Sequence, residues 1–245
     1  MKNTLRNLAI LLSGIALIPT SRAVLPAAVQ GDLILGFETT AGGSKNLLID
    51  LGQYSSLVPE TINLSSDLSD TNVFGSSYAS TTSWGVFGTG ATNNVTLKRT
   101  IYATSTNSTG YPVQASSTQA TTTGLVLSLQ QQYNVDRTVP QVTTHGVWEA
   151  TSEPNSWSYF AATGFENNDY LNFEVPIGNQ TQTLFVQTPS STSDLLGVSS
   201  GLAFEVNNAG LLTITAVPEP STYALLGLGT LVTIVAYRNR SRRQA

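Results

Sequence analysis

Asp32-Leu33-Ile34-Leu35-Gly36-Phe37-Glu38-Thr39, then Thr40-Ala41-Gly42-Gly43-Ser44, then Asn46-Leu47-Leu48-Ile49-Asp50 is the stretch that decides the fold class. Leu33, Leu35 and Phe37 recur with a period of two, the spacing of one face of a strand. A glycine-containing link of five residues joins this run to a second apolar one, which predicts a β-hairpin.

The same period returns farther out. Leu171, Phe173 and Val175 share one face, with Tyr170, Asn172 and Glu174 on the other. Leu202, Phe204 and Val206 repeat the pattern, as do Leu212 and Ile214. Residues 83–88, 95–104, 145–150, 158–162 and 183–188 read as further strands. Two segments depart from it: residues 66–74 predict a short helix and residues 117–133 a longer one. In the second, Leu125, Leu129 and Tyr133 fall on one helical face, although Thr121-Thr122-Thr123-Gly124 is a poor helix former. The expected body is mainly β, an antiparallel β-sandwich or jelly-roll-like domain with one or two short helices.

The two ends have a different character. Lys2 and Arg6 precede an apolar run over residues 8–18, and Ser21-Arg22-Ala23 offers small residues to a signal peptidase. A basic start, a short apolar core and a small-x-small exit read as a secretory signal over residues 1–23, cleaved after Ala23. At the other end, Val217-Pro218-Glu219-Pro220 closes the last strand. Seventeen residues without charge follow at 221–237, then Arg238, Arg240, Arg242 and Arg243. As a helix, 221–237 would be about 26 Å long, close to a ~30 Å hydrocarbon core, with the arginines snorkelling to cover the deficit. This predicts a single C-terminal transmembrane helix, with the arginine tail in the cytoplasm and the body, residues 24–216, outside.

Set apart from its ends, the body is acidic. It keeps four basic residues, Lys45, Lys98, Arg99 and Arg137, against 14 of the 15 acids, a formal charge of −10. Such a surface repels phosphate backbones and excludes nucleic acid as a partner. There is no cysteine, which excludes disulfides, a thiolate nucleophile and a cysteine zinc site. The core must come from burial alone, and about 190 residues suffice for one domain.

The order Pro-Glu-Pro, apolar helix and arginine cluster resembles the PEP-CTERM sorting signal. The resemblance covers residues 217–245 and implies recognition by an exosortase, a membrane-embedded cysteine protease or transpeptidase that processes its substrates near Pro-Glu-Pro. Carried over residue by residue, Pro218, Glu219 and Pro220 would be the sorting and processing motif, and Arg238, Arg240, Arg242 and Arg243 the retention cluster. It also implies a cell-surface or extracellular-matrix destination and association with exopolysaccharide or biofilm. Runs such as Gly31–Phe37, Asn46–Gly52 and Trp84–Gly88 are similar to runs in other PEP-CTERM proteins, a likeness that carries no activity with it.

Candidate chemistry within the body is sparse. His145 is the sole histidine, and no Gly-x-Ser-x-Gly elbow presents a serine beside it, so it is assigned no catalytic role. Glu149, Glu153, Glu166, Asp169 and Glu174 could supply the carboxylate pair of a glycosidase, or simply a solubilising surface. No cofactor is called for. The oxygen-rich runs Glu166-Asn167-Asn168-Asp169 and 67–72 are the places a Ca2+ ion could use, although neither has EF-hand spacing. Trp148, Trp157, Tyr159 and Phe160 form an aromatic cluster that reads as core or as a platform for sugar rings. Two readings follow: a non-enzymatic, surface-sorted structural or matrix protein, and an exported carbohydrate-binding or carbohydrate-active domain on the same anchor.

Overall fold

The computed structural model describes residues 25–39, 45–90, 100–106, 116–138, 142–152, 155–160, 173–178, 180–188 and 198–217. The expected hairpin forms: β1 (Asp32–Thr39) pairs antiparallel with β2 (Lys45–Gln53), with Leu35 opposite Ile49 and Phe37 opposite Leu47. Eight more strands follow among the described residues. They are β3 (Glu60–Asn63), β4 (Thr82–Thr89), β5 (Ile101–Ser105), β6 (Gly146–Ala150), β7 (Val175–Pro176), β8 (Thr181–Gln187), β9 (Val198–Val206) and β10 (Leu211–Ala216). The helices are α1 (Ser65–Leu68), α2 (Tyr78–Thr81), α3 (Ser116–Asp136) and α4 (Trp157–Phe160).

The mainly β, antiparallel expectation holds, but the two sheets of a sandwich are replaced by one. The ladder runs unbroken in the order β3-β10-β9-β8-β5-β4-β1-β2-β6, with β7 set against β4. A twisted sheet of about ten strands tends to curl or split. This one curls, so the faces of its two halves meet across a shared core. Leu33, Leu35, Phe37, Trp84 and Val86 come from one half, and Leu184, Phe204, Val206, Leu212 and Ile214 from the other.

The opposite face of β1 is covered as well. Ile34, Leu48, Phe87 and Val147 pack beneath α3 with its Val126, Leu129 and Tyr133. Every residue from Asp32 to Phe37 is therefore buried. The helix includes the poor helix formers because tertiary packing of its Val126, Leu129 and Tyr133 face overrides propensity, and two hydroxyls turn back onto the helix itself. Thr123 Oγ1 donates to the Gln119 carbonyl at 2.8 Å, and Ser128 Oγ to that of Gly124 at 3.0 Å. Its buried stripe uses Val126 where Leu125 was expected, and Leu125 is only partly buried.

Two strand expectations are corrected. The strand expected over 158–162 is replaced at 158–160 by a helical turn, Trp157–Phe160, whose first N–H is held by a glutamate, and residues 161–162 lie outside the described residues. Phe173 and Val175 do not share a face: Phe173 packs in the core under α3, Val175 inside the curl. The chain there is passing across β4, where the Phe173 carbonyl lies over Gly85 and leaves no room for a Cβ. The helix expected over 66–74 shortens to the single turn α1, followed by Asp70-centred turns. Residues 95–99 and Leu171 lie outside the described residues.

Candidate functional site

The final strand carries the body to the sorting segment. Leu212 to Ala216 pair with β9 and Leu211 to Ile214 with β3, so the last two residues of β10 are held on one side only. One more bond, Val217 N–H to the Gly201 carbonyl at 2.8 Å, ends the ladder. Gly201 has φ +77, so β9 is irregular where the chain leaves it. Tyr54 steadies that point by donating its hydroxyl to the Ser200 carbonyl at 2.7 Å while its ring stacks on Tyr102. Pro218, Glu219, Pro220, the apolar run 221–237, Arg238, Arg240, Arg242, Arg243 and Ala23 all lie outside the described residues. Among the described residues no helix is long and apolar enough to cross a membrane.

His145 has a partner that its sequence context does not announce. Its backbone N–H donates to Asp67 Oδ1 at 2.8 Å, and its Nδ1 meets Asp67 Oδ2 at 2.8 Å. Asp67 is fully buried, and the histidine side chain is 37% exposed. A buried carboxylate that fixes one imidazole nitrogen is the arrangement that orients a general base or a metal-bound histidine. Its place in the fold suggests a mechanical task as well. Asp67 lies just after β3 and His145 just before β6, and these are the two edge strands of the sheet. The pair ties one rim of the curl to the other.

Two of the five candidate carboxylates, Glu149 and Glu174, serve a tryptophan. Trp157 N–H donates to Glu149 Oε1 at 2.6 Å, and Trp157 Nε1 donates to Glu174. Asn46 completes the nest: its Nδ2 lies 3.4 Å from Glu149 Oε1, and its Oδ1 accepts from Ser158 Oγ at 2.6 Å. Trp157 is buried and lies flat on Gly36, where a Cβ would be 2.0 Å from the indole. It packs on Phe173 at 5.7 Å between ring centroids, so it belongs to the core. Trp148 stands on the other face of the sheet with Lys45 Nζ 4.4 Å above its ring, and the expected aromatic cluster is divided. Glu153, Glu166, Asp169 and the Glu166–Asp169 run lie outside the described residues, as do the side chains of Tyr159 and Phe160. In the 67–72 run, Asp67 is taken by His145 and Asp70 Oδ1 accepts the Asn72 N–H at 2.8 Å, which is turn chemistry.

A second acidic pair escaped the sequence reading. Asp32 and Asp50 point from β1 and β2 toward α3, since Asp50 is registered opposite Ile34 on the α3 side. Burial pushes the Asp50 carboxyl up to about 6, against the pull of the Gly52 N–H, with the neighbouring Asp32 adding to the rise. Asp32 is raised by burial too, offset in part by the Val29 N–H at 2.6 Å. Tyr133 is pushed up by burial and then by the Asp50 charge. The only sequence signal was an acid at each end of an apolar hairpin.

Residues 216–243 match the family model of the PEP-CTERM protein-sorting motif. No curated protein matches the chain, and no solved structure does. The motif marks an exported protein that is sorted by an exosortase through a membrane-anchored signal at its C-terminal side.

Proposed function

We propose that this exosortase-sorted protein is a non-enzymatic structural or matrix component of the cell surface, associated with exopolysaccharide or biofilm. The observation that carries the reading is the matched motif itself, with Pro218-Glu219-Pro220, the uncharged run 221–237 and the arginine cluster in sequence. During transit the body stands outside with Arg238 to Arg243 in the cytoplasm, and processing near Pro218 releases it. The fates of the candidate groups among the described residues support a structural role. Glu149 and Glu174 hold Trp157, and Asp67 holds His145. The alternative, an exported carbohydrate-binding or carbohydrate-active domain, loses Trp157 from its sugar platform because that side chain is buried.

Mass spectrometry of the surface-exposed protein from the native host tests this reading. Peptides should end near Pro218-Glu219-Pro220, and recovery of Arg238–Ala245 from mature material would overturn exosortase release. A glycan-array screen and a turnover assay on the body address the alternative, and saturable hydrolysis of any glycan would replace the structural reading.

A further inference from the structure

We propose that Ser158 and Asn46 form an internal ester: the serine hydroxyl attacks the asparagine side-chain amide, ammonia leaves, and α4 becomes covalently joined to β2. This goes beyond the structural reading and does not depend on the fate of the tail. The parts of an acyl transfer meet at this point. Ser158 Oγ is the nucleophile and donates to Asn46 Oδ1 at 2.6 Å. Asn46 offers the acyl carbon, and its Nδ2, the leaving nitrogen, lies 3.4 Å from Glu149 Oε1. Glu149 is the proton carrier, registered opposite Asn46 across the β2–β6 ladder. The same Oε1 accepts the Trp157 N–H at 2.6 Å, which seats the next residue, Ser158, against the amide.

Distance and burial suit the reaction. A C=O bond is about 1.23 Å long, so Ser158 Oγ stands at most about 3.8 Å from Asn46 Cγ, close to the ~3–3.5 Å of an attacking pair. A rotation about Ser158 χ1 carries the hydroxyl from the amide oxygen to the carbon. Well-oriented internal pairs reach effective molarities on the order of 10⁵–10⁸ M, which offsets the low reactivity of an amide. Asn46 and Glu149 are fully buried, as is Trp157 beside them. Water is thereby largely excluded, which protects the ester from hydrolysis once it is made. The step balances without a co-reactant. The Oγ–Cγ bond forms, the Cγ–Nδ2 bond breaks, and Glu149 passes the hydroxyl proton to the departing nitrogen, which leaves as ammonia. The two residues are 112 positions apart in the chain. Where there is no cysteine, such a bond takes the place of a disulfide and pins Trp157 over Gly36.

Peptide mass spectrometry of the full chain, purified, denatured and digested with trypsin, tests this. Cleavage after Lys45, Lys98 and Arg137 puts Asn46 and Ser158 in separate peptides. Expected is one linked pair, lighter than its two parts by a single ammonia and parted by hydroxylamine, which cuts esters. Ser158→Ala should abolish the link, and Ser158→Thr, which keeps a hydroxyl, should retain it. Glu149→Gln should slow its formation roughly 100-fold, the scale of a lost proton carrier. Two unlinked peptides of full mass from the unsubstituted chain would overturn the proposal, whatever the variants do. So would ammonia loss without a link, which marks a succinimide at Asn46, or a link that survives hydroxylamine.

Discussion

At Asp50, burial on the sheet links protonation to folding. It pushes the carboxyl from an ordinary 3.8 up to about 6. Between these values the folded state holds a proton that the unfolded state has lost, so stability falls as pH rises through this window. The melting temperature should be higher at pH 5 than at pH 7.5. Asp50→Asn should flatten that difference, and an unchanged pH profile in the variant would remove Asp50 as its source. Gly36→Ala tests a contact rather than a charge, because its new Cβ collides with the Trp157 indole. It should cost about 1–3 kcal/mol in chemical denaturation, the range for overpacking. Phe204, fully buried inside the curl, should cost about 3–5 kcal/mol on truncation to alanine. Phe204 was legible from its period-two neighbours. The partners of His145 and Trp157 were not, since Asp67 and Glu174 come from separate segments and leave no periodic trace.

At the scale of elements, the hairpin, β4, β6, β8, β9 and β10 follow from alternation, turn residues and β-branched composition. What alternation could not reveal is how many faces are covered. A half-buried strand and a doubly buried one both place Leu33, Leu35 and Phe37 on one side, and only α3 above Ile34 distinguishes them. Phe173 and Val175 misled for a related reason: two apolar residues two apart share a face only while the chain remains a strand, and β7 is two residues long. The edge-to-edge tie between α1 and β6 is open to measurement. Asp67→Ala should destabilise more than His145→Ala, because the histidine variant keeps the backbone N–H bond to Asp67 and the aspartate variant loses both. Equal losses in denaturant titrations would show that the ring contact carries the whole tie.

For the whole molecule, local signals in a sandwich and in a curled sheet are the same. The choice between them depends on whether the β5–β8 ladder is made, and here Ile101 through Ser105 pair with Gln187 through Thr183. Far-UV circular dichroism of residues 24–217 should show a β minimum with a smaller helical contribution from α3, and a disordered spectrum would refute an autonomous fold. The strand order also carries a consequence for timing. Among the described residues β3 pairs with β10 alone, an early strand with the last one. A chain that crosses a membrane from its N-terminus keeps β3 waiting until β10 has emerged, and such non-local closure is slow. The body therefore cannot close its sheet until β10, the strand that runs up to residue 217, is available for pairing.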